Sequence, residues 1–170
     1  MAGNFLHTAG TNGIIGTART VTWTTALNNL ASGARAISDT TADTGLFSQS
    51  SFSNCMFGFA EFSHITGTLA ATAGGCLACW WLGSRDGGAT YEAESTTTPS
   101  TSVPAVARPP DFIISLYTGA TAIPAGSLMQ NPKIILPNTY AKLIVQNMSG
   151  AAFSANNHTF VIAGIADGYT

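Results

Sequence analysis

Three cysteines, three histidines and eight carboxylates are the reactive side chains of this 170-residue chain, and their spacing decides what chemistry they could do. Cys76 and Cys79 form a Cys-x-x-Cys pair, which in a suitable setting holds zinc or cycles between dithiol and disulfide. The residues around them, Gly75 to Leu82, are apolar and strand-like. Residues three apart on a strand point to opposite faces, so the two sulfurs diverge. Cys55 stands alone and no second pair completes a zinc set. The thiols read as small buried hydrophobes, and their odd number does not suit a disulfide framework. His7, His64 and His158 are far apart and make no His-x-His or His-x-x-x-His unit.

The carboxylates are Asp39, Asp43, Glu61, Asp86, Glu92, Glu94, Asp111 and Asp167. Glycoside hydrolysis needs two facing carboxylates. Glu92 and Glu94 would share one face of a strand, but they border a Thr-rich stretch and read as solvent-facing charges or partners for Arg85. Glu61 is the unusual one, set among Phe57, Phe59 and Phe62, and a place at a polar rim or interface fits it better than acid catalysis. No serine sits in Gly-x-Ser-x-Gly, and no Gly-Lys-Ser/Thr phosphate loop occurs. Asn147-Met148-Ser149 and Asn157-His158-Thr159 match the glycosylation triplet but read as β-turn residues. The expectation is a protein that is not an enzyme and carries no cofactor or metal.

Composition points the same way. Charged residues make up 8% of the chain, against roughly 25% in ordinary soluble domains. Hydrophobic residues reach 45% and mean hydropathy is +0.24, yet no apolar run approaches the ~20 residues of a membrane span. Thr, Ser, Ala, Gly and Asn take the places where Lys and Glu usually stand. A chain this neutral is prone to associate. Either partners cover much of its surface, or the surface is neutral and Thr-rich, as in many extracellular β proteins. The net charge of −2 and the scatter of Arg19, Arg35, Arg85, Arg108, Lys133 and Lys142 argue against a nucleic-acid partner. The opening Met-Ala-Gly-Asn-Phe lacks the basic and apolar regions of a signal peptide, so synthesis in a cytoplasm before assembly is expected.

These residues must be positioned by strands. β-branched and aromatic residues dominate, and turn residues recur at short intervals. Residues Met1 to Ala18, rich in Gly, Asn and Thr, read as an extended arm, with Phe5, Leu6, Ile14 and Ile15 as its candidate contact residues. Strands are expected over Arg19–Leu27, Ala34–Ser38, Cys55–Ile65, Gly75–Leu82, Asp111–Tyr117, within Ser127–Leu136, over Thr139–Asn147 and over His158–Ala163. Ala26–Ala34, broken by Gly33, reads as a strand end plus a turn. Cys55–Ile65 is apolar on both faces and should be central or covered on both sides. Trp80 and Trp81 should face opposite ways. Ser84-Arg85-Asp86-Gly87-Gly88 is a turn, and Ala89–Ala93 would return as its hairpin partner, carrying Tyr91. Asp39–Ser53 is a polar loop with Leu46 and Phe47 tucked inward, and Glu94–Pro110 is a Thr/Ser/Pro surface loop. About eight antiparallel strands over residues 19–170 fit one all-β domain, a jelly-roll-like sandwich.

Three segments resemble a known family. Trp80-Trp81-Leu82-Gly83-Ser84-Arg85-Asp86-Gly87-Gly88-Ala89-Thr90-Tyr91-Glu92 is similar to an aromatic strand followed by Ser-x-Asp-Gly-Gly-x-x-Tyr-Glu in small virion proteins of tailed phages. Lys142-Leu143-Ile144-Val145-Gln146-Asn147-Met148-Ser149-Gly150-Ala151-Ala152-Phe153, with Asn157-His158-Thr159-Phe160, resembles their closing hairpin, and Leu30-Ala31-Ser32-Gly33-Ala34 an early turn. The resemblance covers about half the chain and implies a jelly-roll cement or decoration protein. Such a protein sits on the outside of a capsid, clamps neighbouring major capsid subunits and associates with itself as a homodimer or homotrimer. The longer Glu94–Pro110 loop and the Trp80-Trp81 pair depart from the pattern. On this reading the protein belongs to the virion, at the capsid surface, with the arm lying over a neighbour and neither nucleic acid nor membrane as partner. The alternatives are a tail or fibre-head receptor-binding domain, and a carbohydrate-binding sandwich. The latter needs exposed aromatics in a groove, with Trp80, Trp81, Tyr91 and Tyr117 as candidates, and the tryptophans are expected to be buried.

Overall fold

The computed structural model describes residues 15–23, 27–43, 45–52, 55–64, 69–70, 74–91, 106, 108–116, 122–123, 128–137, 139–153, 155 and 158–165. Within them the chain is all-β. The strands are β1 (Ile15–Thr20), β2 (Arg35–Ile37), β3 (Leu46–Phe47), β4 (Phe57–His64), β5 (Leu69–Ala70), β6 (Cys76–Ser84), β7 (Phe112–Ser115), β8 (Ala122–Ile123), β9 (Leu128–Ile135), β10 (Tyr140–Met148) and β11 (His158–Ile165). A first sheet has the order β1-β11-β4-β9, a second β2-β10-β6-β7 with β3 also on β10, and β5 pairs β8 separately. Every strand pairing is antiparallel.

The pairings are nested. β1 meets β11, β2 and β3 meet β10, β4 meets β9, β5 meets β8 and β6 meets β7. The chain is therefore one long hairpin, with β1 to β6 as the outgoing arm and β7 to β11 as the return. It is rolled up so that β11 also pairs β4 and β10 also pairs β6. Rolling buries one face of each sheet against the other. Ala60, Phe62, Ile134, Phe160 and Ile162 of the first sheet join Leu77, Cys79, Trp81, Ile114, Leu143 and Val145 of the second in one core. Phe47 stacks on Phe52 at 5.5 Å and meets the edge of Trp81 at 5.8 Å.

The alternation of β6 and β10 sets a second, outer cluster. Trp81 faces the core, and Trp80, one residue away, packs on the opposite face with Ile37, Ala78, Leu82, Tyr91 and Ile144. The expected divergence of the two tryptophans holds. β4 is covered on both faces: Ala60 and Phe62 point into the core, while Phe59 and Glu61 on the far face are buried too.

Four expectations are corrected. β1 begins at Ile15, paired with Ile165, and ends at Thr20, so the sheet starts inside the stretch assigned to the arm. The reason is a corner. Val21 donates to Phe160 O in the first sheet, but Asp39 N donates to Thr22 O and Trp23 bridges Ser38, beside β2 of the second. A chain that changes sheets cannot remain one straight strand to Leu27. Phe5, Leu6 and Ile14 lie outside the described residues. Second, residues 89–91 do not return as the hairpin partner of β6; its neighbours are β7 and β10. Long-range pairing wins because β7 and β10 bring apolar inner faces that residues 89–91 lack. Third, the stretch Glu94–Pro110 is not wholly a solvated loop, since Val106 packs on the outer cluster and Arg108 is half-buried. Fourth, Leu46–Phe47 is a short strand on β10 and not only a tucked loop.

Candidate functional site

Among the described residues the cysteines, histidines and carboxylates do not converge. Cys79 is buried in the core and Cys76 is half-buried, both as free thiols; burial pushes both thiols above their ordinary value. His158 stacks on Phe62 at 5.5 Å, and His64 is its cross-strand register partner. Glu61 is buried and accepts from Gln130 Nε2 at 2.8 Å. Among the described residues no group of three His, Cys, Asp or Glu side chains could hold a metal ion, and no helix is long and apolar enough to cross a membrane. His7, Glu92, Glu94, Tyr117 and Asp167 lie outside the described residues.

The few charges are spent on internal partners. Arg19 donates to Ser51 O at 3.3 Å and lies 3.9 Å from Asp43. Arg35 reaches Gln146 at 3.4 Å and lies over the Trp80 ring. Arg108 pairs with Asp111 at 2.6 Å and donates to Trp81 O. Lys133 stands over Phe57 at 4.6 Å, and Lys142, fully buried, over Tyr91 at 4.1 Å. Such cation–π contacts attract a cation to the negative face of the ring. Arg85 differs: it is exposed, and no hydrogen bond or ion pair joins it to another described residue.

Arg85 belongs to a loop that its neighbours hold rigid. Asp86 accepts hydrogen bonds from Thr90 Oγ1 at 2.6 Å, Thr90 N at 2.7 Å, Ser84 Oγ at 2.8 Å and Ala89 N at 3.0 Å. These bonds, those from Thr90 foremost, hold its carboxyl down to about 2, because each favours the ionised form. Ser84 Oγ in turn accepts from Gly88 N. Gly87 and Gly88 take φ of 72° and 98°, a region open to glycine and costly for other residues.

This loop forms one wall of a cleft of about 410 Å³ at the end of the second sheet. Ser48, Ser50, Ser84, Arg85, Gly87, Thr139 and Tyr140 line it. Tyr140, the first residue of β10, is the register partner of Ser84, and its side chain is 45% exposed. Among the described residues the lining holds five hydroxyls, one guanidinium and one aromatic ring, without a carboxylate. The sequence marked Ser84–Gly88 as a turn but not Thr139 and Tyr140 as its opposite wall. Only the β6–β10 register brings them together.

Among the described residues, several large apolar side chains remain exposed outside the core. Met56 and Ile135, 64% and 70% exposed, stand at the same end of the β4–β9 pair, where Leu136 N donates to Met56 O and Ile135 pairs Phe57. Ile113 and Met148 are exposed on the outer face of the second sheet, where they pair Ala78 and Cys76. Trp80, Trp81 and Tyr91, the candidate sugar-stacking aromatics, are buried.

Two of the segments that carry the family resemblance meet in space. Asn147, fully buried, donates to Leu30 O and Ala151 O at 2.8 Å and accepts from Ser149 N at 2.9 Å. Gly33 N and Asn147 O, and Asn147 N and Ala34 O, add backbone bonds at 2.7 and 3.0 Å. The early turn and the closing hairpin are thus one structural unit. Comparison with protein-family models, with curated proteins and with solved structures finds no match.

Proposed function

We propose that this protein is a jelly-roll cement or decoration protein of a phage particle, which binds the outside of the capsid and stabilises contacts between major capsid subunits. The observation that carries the reading is the nesting of the strand pairs, a hairpin rolled into two facing sheets. Jelly rolls are built of two such sheets and recur in viral capsid proteins. The economy of charge supports it. A clamp on a shell buries its surface against several neighbours, and each unpaired buried charge costs several kcal/mol. Internal partners for five of the six cations leave Arg85 as the one cation without a partner among the described residues. The exposed side chains Met56, Ile135, Ile113 and Met148 are apolar material for such contacts, and the residues ahead of β1, with Phe5, Leu6 and Ile14, are a candidate strap over a neighbouring subunit.

The test is a copy-number measurement on purified particles. Many copies at a fixed ratio to the coat protein, lost together with resistance of the shell to heating, is the expected result. A handful of copies at the tail would replace this reading with a tail or fibre role, and absence from particles would end it.

A further inference from the structure

We infer that the cleft beside Arg85 binds an acidic saccharide, a pyranose ring bearing a carboxylate, and this holds whether or not the protein sits on a shell. The first ground is the charge inventory. In a chain with six basic residues, Arg19, Arg35, Arg108, Lys133 and Lys142 all have partners within the fold. Arg85 alone among them has none in the described residues. Its sequence neighbour Asp86 would be the obvious partner, but that carboxylate is engaged by Ser84, Ala89 and Thr90. Among the described residues, the guanidinium is left as a fork of donors suited to a carboxylate from outside.

The second ground is what surrounds it. Ser48, Ser50, Ser84, Thr139 and Tyr140 bring hydroxyls to the same cleft. Ser84 Oγ is engaged by Asp86 and Gly88, and Ser48 and Ser50 bond each other, so these three offer remaining acceptor capacity, while the hydroxyls of Thr139 and Tyr140 can both donate and accept, which suits a ligand whose own groups are mostly hydroxyls. A lone Asp or Glu side chain of a protein partner would engage the guanidinium and leave that wall unmatched. Tyr140 adds an exposed ring at the cleft wall, an amphipathic surface whose apolar body can pack on the C–H face of a sugar while its hydroxyl stays wet. The volume, about 410 Å³, is in the range of small-ligand sites.

The third ground is preorganisation. The hydrogen bonds of Asp86 and the positive φ of Gly87 and Gly88 hold the loop, while the β6–β10 ladder fixes Tyr140 opposite Ser84. Little ordering remains to be done on binding, which favours a small ligand with few contacts.

The experiment is a titration of the isotope-labelled full chain, followed by NMR, with methyl glucuronide and N-acetylneuraminic acid beside methyl glucoside and acetate. The expected result is binding of at least one acidic sugar with Kd at about 1 mM or below, with shifts centred on Arg85, Gly87, Thr139 and Tyr140. R85Q should weaken it by about tenfold or more, as loss of a charge-assisted pair does, and Y140A should weaken it while the spectrum of each variant stays folded. Four results would overturn the inference: no acidic sugar binding at about 10 mM; equal binding of the neutral glucoside; equal binding of acetate; or shifts that map elsewhere. If R85Q instead lowers occupancy on particles while no sugar binds, the cleft is a contact to protein. Normal occupancy of R85Q with lost sugar binding is expected, and it leaves the copy-number test of the shell role untouched.

Discussion

Asn147 illustrates how much one side chain can carry in a fold whose ends must be tied together. Its amide spans the turn at residue 30 and the turn after β10, and both its oxygen and its nitrogen are used. Asn147→Ala leaves Ser149 N without its acceptor and removes both donor bonds, in a fully buried position. A buried polar group left unsatisfied costs about 1–3 kcal/mol. We expect Asn147→Ala to lower unfolding free energy by about 2–4 kcal/mol in a urea titration, a loss large enough to separate it from surface asparagines. The same burial means that the Asn147-Met148-Ser149 triplet is closed to glycosylation in the folded protein. Asp86 gives a pH prediction of defined sign. Its folded carboxyl lies at about 2, below the ordinary 3.8, so its contribution to stability is present above the ordinary value and lost as the pH falls from about 3.8 towards 2. Over that window the amide resonances of Ala89 and Thr90 should move with a single titration, and Asp86→Asn should abolish the movement.

At the scale of elements, the tip of the rolled hairpin decides how the second sheet is finished. β6 is apolar on both faces, and on its outer face Tyr91 and Val106, from the segment joining it to β7, pack with Ala78, Trp80 and Leu82. That segment is pinned at its return by Trp80 Nε1 donating to Arg108 O at 2.9 Å, and by Asp111, which accepts from Trp81 N at 2.6 Å and from Arg108. Asp111→Asn halves this clip. The ion pair is a third exposed on each side, and exposed pairs are worth at most about 1 kcal/mol. We therefore expect a loss of about 1 kcal/mol or less in global stability, but clearly faster hydrogen exchange at the Trp81 amide, since that bond loses its charged acceptor. β4, β6, β10 and β11 were readable in the sequence because each is long, rich in β-branched and aromatic residues, and buried on at least one full face. The corner at Val21–Trp23, the two-residue strand Leu46–Phe47 and the β5–β8 pair were not readable. Their hydrogen-bond partners lie far along the chain, and two or three residues carry no period. The cleft was half readable. The loop chemistry of Ser84–Gly88 is local, whereas Thr139 and Tyr140 reach it only through the register of β10 on β6.

For the whole molecule, the question is how a chain with 8% charged residues keeps its sheets from joining those of other copies. Much of the answer is geometric. Pro132 interrupts the edge strand β9, a place where its missing N–H is tolerated. A register shift breaks the ladder between β1 and β11, Asn131 Nδ2 donates across to Ile113 O and ties the β9 edge to β7, and the corner at Trp23 shields β2. Irregular and covered edges resist strand-to-strand addition without relying on charge. This has a consequence for attachment. A clamp held by ion pairs weakens as salt screens them, with a Debye length falling from about 10 Å at 0.1 M to about 3 Å at 1 M. A clamp that buries neutral and apolar surface does not, and salts that strengthen burial can tighten it. We expect particles washed in about 1 M sodium chloride to keep the protein at its original ratio to coat subunits, as read by gel densitometry. Ile135→Glu, which places a charge on the most exposed of the large apolar side chains among the described residues, should leave the purified fold intact and lower that ratio. Release by salt alone, with Ile135→Glu still fully bound, would mean that the attachment is ionic and that the neutral exterior serves some other end.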